Sequence, residues 1–230
     1  MNTLDFFKFS EKKLFHACIK VLKSYNYEVS ASKTIDDQSY IYGRPASDII
    51  PICAVAHLDT VHEESPVTIN QKNNTLTSPE GIGGDDRCGV LIIYRLLQAG
   101  LRPSVLFFTG EEQGGKGART FINEYKTIEN INWFLEFDKQ GHNFVTNYDD
   151  QNDQLINEFI DKGFEDGGGT FSDIKVLCPH FKISGVNISA GYFKPHSKEE
   201  FVDLNALGNI AKRAENIMAS DLVKTKFEYQ

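Results

Sequence analysis

The apolar positions change period several times along the chain, and each change marks an element. Between Ser10 and about Tyr25, Leu14, Phe15, Cys18 and Leu22 recur at helical spacing, which predicts an amphipathic helix. Short strand-like pieces follow at Tyr27–Val29 and Ser39–Tyr42. From Ile49 to Ala56 the chain is nearly all apolar. That run predicts a strand buried on both faces, with Pro51 near its start. Val67–Thr77 alternates around Asn73-Asn74, the pattern of a small hairpin. After the flexible turn Gly81-Ile82-Gly83-Gly84, residues Val90, Leu91, Ile93, Leu96 and Leu97 predict a helix over Cys88–Ala99 that stops at Gly100. Asp85 and Asp86 sit at its opening, where the helix dipole favours acids.

The second half repeats the alternation. Val105–Phe108, Trp133–Phe137 and Gly185–Ala190 predict buried strands, and Ala118–Tyr125 and Leu155–Ile160 predict helices. Ser197-Lys198-Glu199-Glu200 has the form of a capping box. The last long helix is therefore expected to start at Ser197, with Phe201, Leu204, Leu207, Ile210, Ala214 and Ile217 as its apolar stripe. Gly167-Gly168-Gly169 and the Asn/Asp-rich stretch 147–153 read as loops. Strands alternating with helices predict an α/β fold: a single three-layer α/β/α domain over residues 1–230 with a mostly parallel central sheet.

Composition narrows the function classes. There are 24 Lys and Arg against 32 Asp and Glu, a formal net charge of −8, with 40% hydrophobic residues. This is the make-up of a globular protein rather than a disordered one. The acidic balance argues against a nucleic-acid partner. No apolar run approaches the length of a membrane span, and no signal peptide is visible, so a cytoplasmic location is expected. Cys18, Cys53, Cys88 and Cys178 are far apart and form no Cys-x-x-Cys pair. They are expected to be reduced and buried rather than a disulfide framework or a thiolate zinc site.

Candidate chemistry lies in five polar clusters. His57/Asp59, Glu111/Glu112, Asp138 and His196 each come just after a predicted strand, and Asp85/Asp86 open a helix. In open α/β sheets ligands bind outside the carboxyl ends of the strands, so these clusters can converge. Imidazole and carboxylate oxygen suit a divalent metal. Two histidines and several acids exceed what one tetrahedral zinc needs and fit a two-metal site with a shared carboxylate. Each cluster alone has an ordinary explanation, as a surface pair, a dipole partner or a solvated turn. Their co-occurrence at strand ends does not.

The ordered set Ala56-His57-Leu58-Asp59-Thr60-Val61, Gly84-Asp85-Asp86-Arg87-Cys88-Gly89, Thr109-Gly110-Glu111-Glu112, Phe137-Asp138 and Pro195-His196-Ser197 resembles the successive motifs of the co-catalytic dizinc exopeptidases. That clan includes peptidase T, glutamate carboxypeptidase and the bacterial zinc aminopeptidases. Gly185–Tyr192 resembles its last strand before the final histidine. The resemblance runs from about residue 50 to 210 and implies a zinc-exopeptidase-like fold with two divalent metal ions, zinc foremost, with cobalt or manganese as alternatives. By the same resemblance, His57 and Asp138 would be terminal ligands of one metal, and Glu112 and His196 of the other. Asp85 would bridge them, because it stands four residues before Gly89, with Asp86 as the fallback. Asp59 would hold His57, and Glu111 would be the general base. The implied reaction is hydrolysis of a peptide or amide bond by a metal-activated water, aminopeptidase-like. A carboxypeptidase or N-acyl-amino-acid amidohydrolase on the same site is the alternative.

Some clan members insert a lid domain between the positions of Asp138 and His196. Here that interval already holds a helix, a loop and a strand, too little for a further domain of at least about 50 residues. A compact, lid-free chain acting on a peptide or N-acyl amino acid, as a monomer, is expected. Tyr192 is a candidate oxyanion donor or a core tyrosine. Asp173, in Thr170-Phe171-Ser172-Asp173, is a candidate near the substrate or a helix cap. Arg87 would face a substrate carboxylate or make a structural pair. Two readings of another kind compete: a hydrolase using Cys88 as nucleophile, and an inactive metal- or peptide-binding protein.

Overall fold

The computed structural model describes residues 2–33, 35–62 and 64–230. The chain opens with α1 (Thr3–Lys8) and α2 (Glu11–Ser24). Ser10 caps α2, its side chain accepting from the Lys13 N–H, and Leu14, Phe15, Cys18 and Leu22 form the buried stripe. Then come β1 (Tyr27–Ala31), β2 (Tyr40–Pro45), β3 (Ile50–His57), the hairpin β4 (Asn70–Lys72) and β5 (Thr75–Thr77), α3 (Gly84–Gln98), β6 (Pro103–Phe108) and α4 (Lys116–Glu124). The remainder is β7 (Phe134–Lys139), β8 (Phe144–Thr146), α5 (Gln154–Asp161), β9 (Glu165–Asp166), α6 (Ile174–Phe181), β10 (Gly185–Ser189), β11 (Tyr192–Phe193), β12 (Phe201–Asp203) and α7 (Leu204–Met218).

The main sheet has the order β1-β2-β6-β3-β7-β10-β8-β9. Its centre, β6-β3-β7-β10, is parallel, and antiparallel pairs flank it at β1–β2, β2–β6 and β10–β8. A second, four-stranded sheet runs β11-β12-β5-β4. Successive residues of a strand point to opposite faces, and β3 shows it. Ile52, Ala54 and Ala56 join the core under α1, α2, α3, α5 and α7. Cys53 and Val55 join the core under α4 and α6. The three-layer fold therefore stands. On the smaller face Phe121 is wholly buried, ringed by Tyr40, Tyr42, Phe108 and Tyr125. Burying one such ring contributes about 1.5–3 kcal/mol.

Two elements differ from the sequence pattern. The last helix begins at Leu204, not Ser197, and Asp203 caps it by accepting from the Asn205 and Ala206 N–H groups. Phe201–Asp203 instead pairs with β5 and β11. The apparent capping box fails because the Glu200 carboxylate is used elsewhere, as shown below. Residues Ile174–Phe181, not expected to be helical, form α6.

A candidate two-metal cleft

Parallel pairing brings the chemistry-bearing residues to one edge. His57 ends β3 at the centre of the sheet, opposite Phe108 of β6, and Val55 pairs with Glu136 two residues before Asp138. Glu111 and Glu112 follow β6, and His196 follows β11. Asp85 enters from the start of α3, where Asp85 and Asp86 depart from helical dihedrals and are joined by a cis peptide bond.

The arrangement divides around Asp85. Its Oδ1 lies 3.2 Å from His57 Nε2, which is 3.4 Å from Asp138 Oδ1. Its Oδ2 lies 3.4 Å from His196 Nε2, which is 3.1 Å from Glu112 Oε2. One carboxylate thus serves two separate His–acid pairs. Asp86 does not share this position. It is wholly buried behind the site, where Oδ1 accepts from the Gly89 N–H at 2.8 Å.

The supporting contacts are dense. His57 Nδ1 faces the Asp59 carbonyl at 3.1 Å and its Oδ1 at 3.4 Å. The Asp59 carboxylate also accepts from the Glu111 and Glu112 N–H groups, both at 3.3 Å. Asp138 receives Ser172 Oγ–H on Oδ2 at 2.8 Å and the Tyr192 hydroxyl on Oδ1 at 3.2 Å. Asn187 on β10 clasps the Asp138 backbone, accepting from its N–H at 2.8 Å and donating to its carbonyl at 2.7 Å. Glu200, 1% exposed, accepts from the Gly83 N–H at 3.0 Å and the Asp85 N–H at 2.9 Å and faces His62 Nε2 at 3.0 Å. That fixes the turn that delivers Asp85. Asn187 and Glu200 carry no sequence signal of their own. Glu200 was hidden by its resemblance to a cap.

Crowding of acids dominates the electrostatics. Burial, then Asp138, pushes Glu111 up to about 9. Burial also raises Glu112 to about 7 and Asp138 to about 6, with Asp85 adding to both. Burial opposes protonation of His57, but Asp138, Asp59 and Asp85 outweigh it and raise the imidazole well above its ordinary value. Glu112 Oε1 is buried without a hydrogen-bond partner. A buried carboxylate oxygen left unpaired is costly, and a cation would satisfy it. The donor atoms of His57, Glu111 and Asp138 lie within 4.8 Å of one another, as do those of His57, Asp85 and Glu112. Nitrogen and oxygen donors in this mixture fit a divalent cation. The cleft above them has a volume of about 440 Å³ and is lined also by Lys139, Tyr148, Phe171 and Tyr192.

Other candidates fall outside it. Asp173 is wholly buried, with neither oxygen partnered. Although it precedes α6, its side chain makes no capping bond. Arg87 Nη1 donates to the Phe6 and Phe9 carbonyls at 3.0 and 2.8 Å, so the guanidinium staples the α1 end to α3, and its buried Nε has no partner. It lines a separate cavity. Cys88 is wholly buried, and burial with Asp86, Glu200 and Asp85 nearby raises its thiol well above the ordinary range. A thiol so placed is a poor nucleophile. All four cysteines are free and buried.

The description of peptidase family M28 matches residues 43–175, more than half of the chain. The chain belongs to peptidase family M28. It is accordingly a metallopeptidase, and the matched segment carries every cluster of the cleft except His196. Among solved structures, the M28 chain resembles the aminopeptidase PepT of Bacillus cereus ATCC 10987 (TM-score 0.75, 12% identity, covering 95% of this chain and 97% of that one). It also resembles a tripeptidase of Staphylococcus aureus subsp. aureus mu50 (TM-score 0.74, 10% identity, 96% of each chain). A third likeness is to a Zn-dependent exopeptidase of Parabacteroides distasonis ATCC 8503 (TM-score 0.57, 14% identity, 94% of each chain). At such identities the likeness is one of fold. No curated protein sequence matches the chain. No described helix is long and apolar enough to cross a membrane.

Proposed function

We propose that this M28 peptidase is an exopeptidase that releases terminal residues from peptides, aminopeptidase-like, with two divalent cations, zinc foremost. His57 and Asp138 would hold one cation, Glu112 and His196 the other, and Asp85 both. The observation that carries the reading is Asp85, whose two oxygens face different histidines at 3.2 and 3.4 Å. An aminopeptidase, a tripeptidase and a Zn-dependent exopeptidase share the fold, which supports the substrate class and the metal.

When bound, such a pair of cations supplies Lewis acidity that acidifies water and polarises the scissile carbonyl. The chain's residues do the rest. Asp59 engages His57 Nδ1, which fixes the tautomer and leaves Nε2 free to bind. Ser172 and Tyr192 hold the two oxygens of Asp138, and this makes Tyr192 a positioning residue rather than an oxyanion donor. Glu111, 8% exposed beside His57 and Asp138, takes the proton of the attacking water and delivers it to the leaving amine. One chain contributes every ligand and the base, so the site is complete in a monomer, and the free, buried thiols suit the cytoplasm.

Glu111→Gln tests the assignment. Turnover of free-amine peptides should fall by about 10²–10⁴-fold while zinc content stays at the wild-type level. Loss of zinc in this variant would make Glu111 a ligand and remove it as the base.

A further inference from the structure

We propose that Lys139 makes the cleft selective for substrates that present a carboxylate beside the scissile bond. The inference rests on the exopeptidase reading of the cleft. Lys139 follows Asp138 at the end of β7 and is the one Lys or Arg among the described residues lining the cleft. Its stem runs along Gly167-Gly168-Gly169. A Cβ at Gly167 would overlap Lys139 Cε, and one at Gly169 would come within 2.7 Å of Tyr148 Cε1. Phe144 Cβ lies 2.7 Å from the same Gly167 position, and Gly168 between them takes a left-handed φ of 55°, so the glycine run lets the chain pass close beside Lys139 and Tyr148.

The Lys139 ammonium donates to the Gly168 carbonyl. It forms no ion pair among the described residues. An ammonium has three donors, so two remain for whatever enters the cleft. The acids whose charge reaches it are Asp138 and the exposed Asp166. Asp138 is already engaged by His57, Ser172 and Tyr192. A half-buried cation held only by a neutral carbonyl favours a ligand that brings an anion. Tyr148, Thr170 and Phe171 wall the same space. The carboxylate can be the side chain of an N-terminal Asp or Glu, or the free carboxylate of a C-terminal residue.

The test uses the zinc-loaded full chain and two substrate pairs, Glu- against Gln-p-nitroanilide, and acetyl-Ala-Leu against its C-terminal amide. In the pair that matches the true source, the acid should be cleaved with a kcat/KM about tenfold or more above its neutral isostere, chiefly through KM. Lys139→Met should bring the acid down to the level of the isostere and leave the isostere within about twofold. Lys139→Glu should turn the preference toward Lys-p-nitroanilide. Melting temperature and zinc content confirm that the variants fold and load. Equal rates within both pairs in the wild type, or a preference that survives Lys139→Met, would overturn the proposal. If no peptide is cleaved, the exopeptidase reading fails by itself. Lys139 is then judged by calorimetric binding of L-glutamate against L-glutamine and of acetyl-leucine against acetyl-leucinamide. A preference lost in Lys139→Met supports the role, and no preference ends it.

Discussion

Two concave regions of the molecule differ in size and in charge, and the one that gathers the acids is the smaller. The larger, about 620 Å³, is lined by Lys8, Lys12 and Arg87 with Glu11, Glu64 and His62. Its charges are mixed, and its buried cation is held by backbone carbonyls. The smaller, about 440 Å³, gathers Asp85, Glu111, Glu112 and Asp138 against one lysine and one histidine. There the acids outnumber the cations, are buried or half-buried, and leave Glu112 Oε1 unpaired. Unbalanced buried charge of one sign, not volume, marks the place where a cation belongs.

The contrast can be broken by substitution on each side. Asp85→Asn keeps the shape of the cleft and weakens its central acid; kcat/KM should fall by on the order of 10³-fold, measured on a free-amine peptide with zinc in excess. Tyr192→Phe removes one hydrogen bond to Asp138. Zinc affinity should weaken by about 10–100-fold by competition with a chelating dye, and an unchanged affinity would end its positioning role. Arg87→Met belongs to the other cavity. It takes the Arg87 donor from the Phe6 carbonyl and leaves the Phe9 carbonyl with the Ser65 hydroxyl alone, and it should cost about 1–3 kcal/mol of stability in a urea melt, with kcat/KM of the zinc-loaded enzyme within about twofold. A large loss of activity there would unite the two regions. Smallest of all, iodoacetamide should leave the native enzyme's activity unchanged, because Cys88 is wholly buried, whereas a chelator abolishes it.

Much of this was legible in the sequence because it depends on local pattern. Ser10 and the Leu14–Leu22 stripe announce α2, and the apolar run ending at His57 announces β3. With strand ends placed, His57, Glu111, Glu112 and Asp138 fall together by topology alone. What was hidden depends on long-range partners. Glu200 looks like a helix cap three residues after Ser197, but its oxygens are taken by Gly83, Asp85 and His62. Helix α7 therefore waits for Asp203. α6 contains Pro179 and spans only Ile174–Phe181, so packing rather than periodicity defines it. Between Asp85 and Asp86, only the resemblance and the spacing to Gly89 favoured Asp85. The backbone turn puts Asp85 in the cleft and bonds Asp86 back to Gly89.

The central claim is that Asp85 joins two cation sites in one chain. Metal analysis of the zinc-loaded, gel-filtered protein tests it most directly, with the wild type beside Asp85→Asn. The expected result is two zinc ions per wild-type chain, and one or fewer in Asp85→Asn as both sites lose a ligand. A single zinc in the wild type, or full retention in Asp85→Asn, would contradict the bridging role.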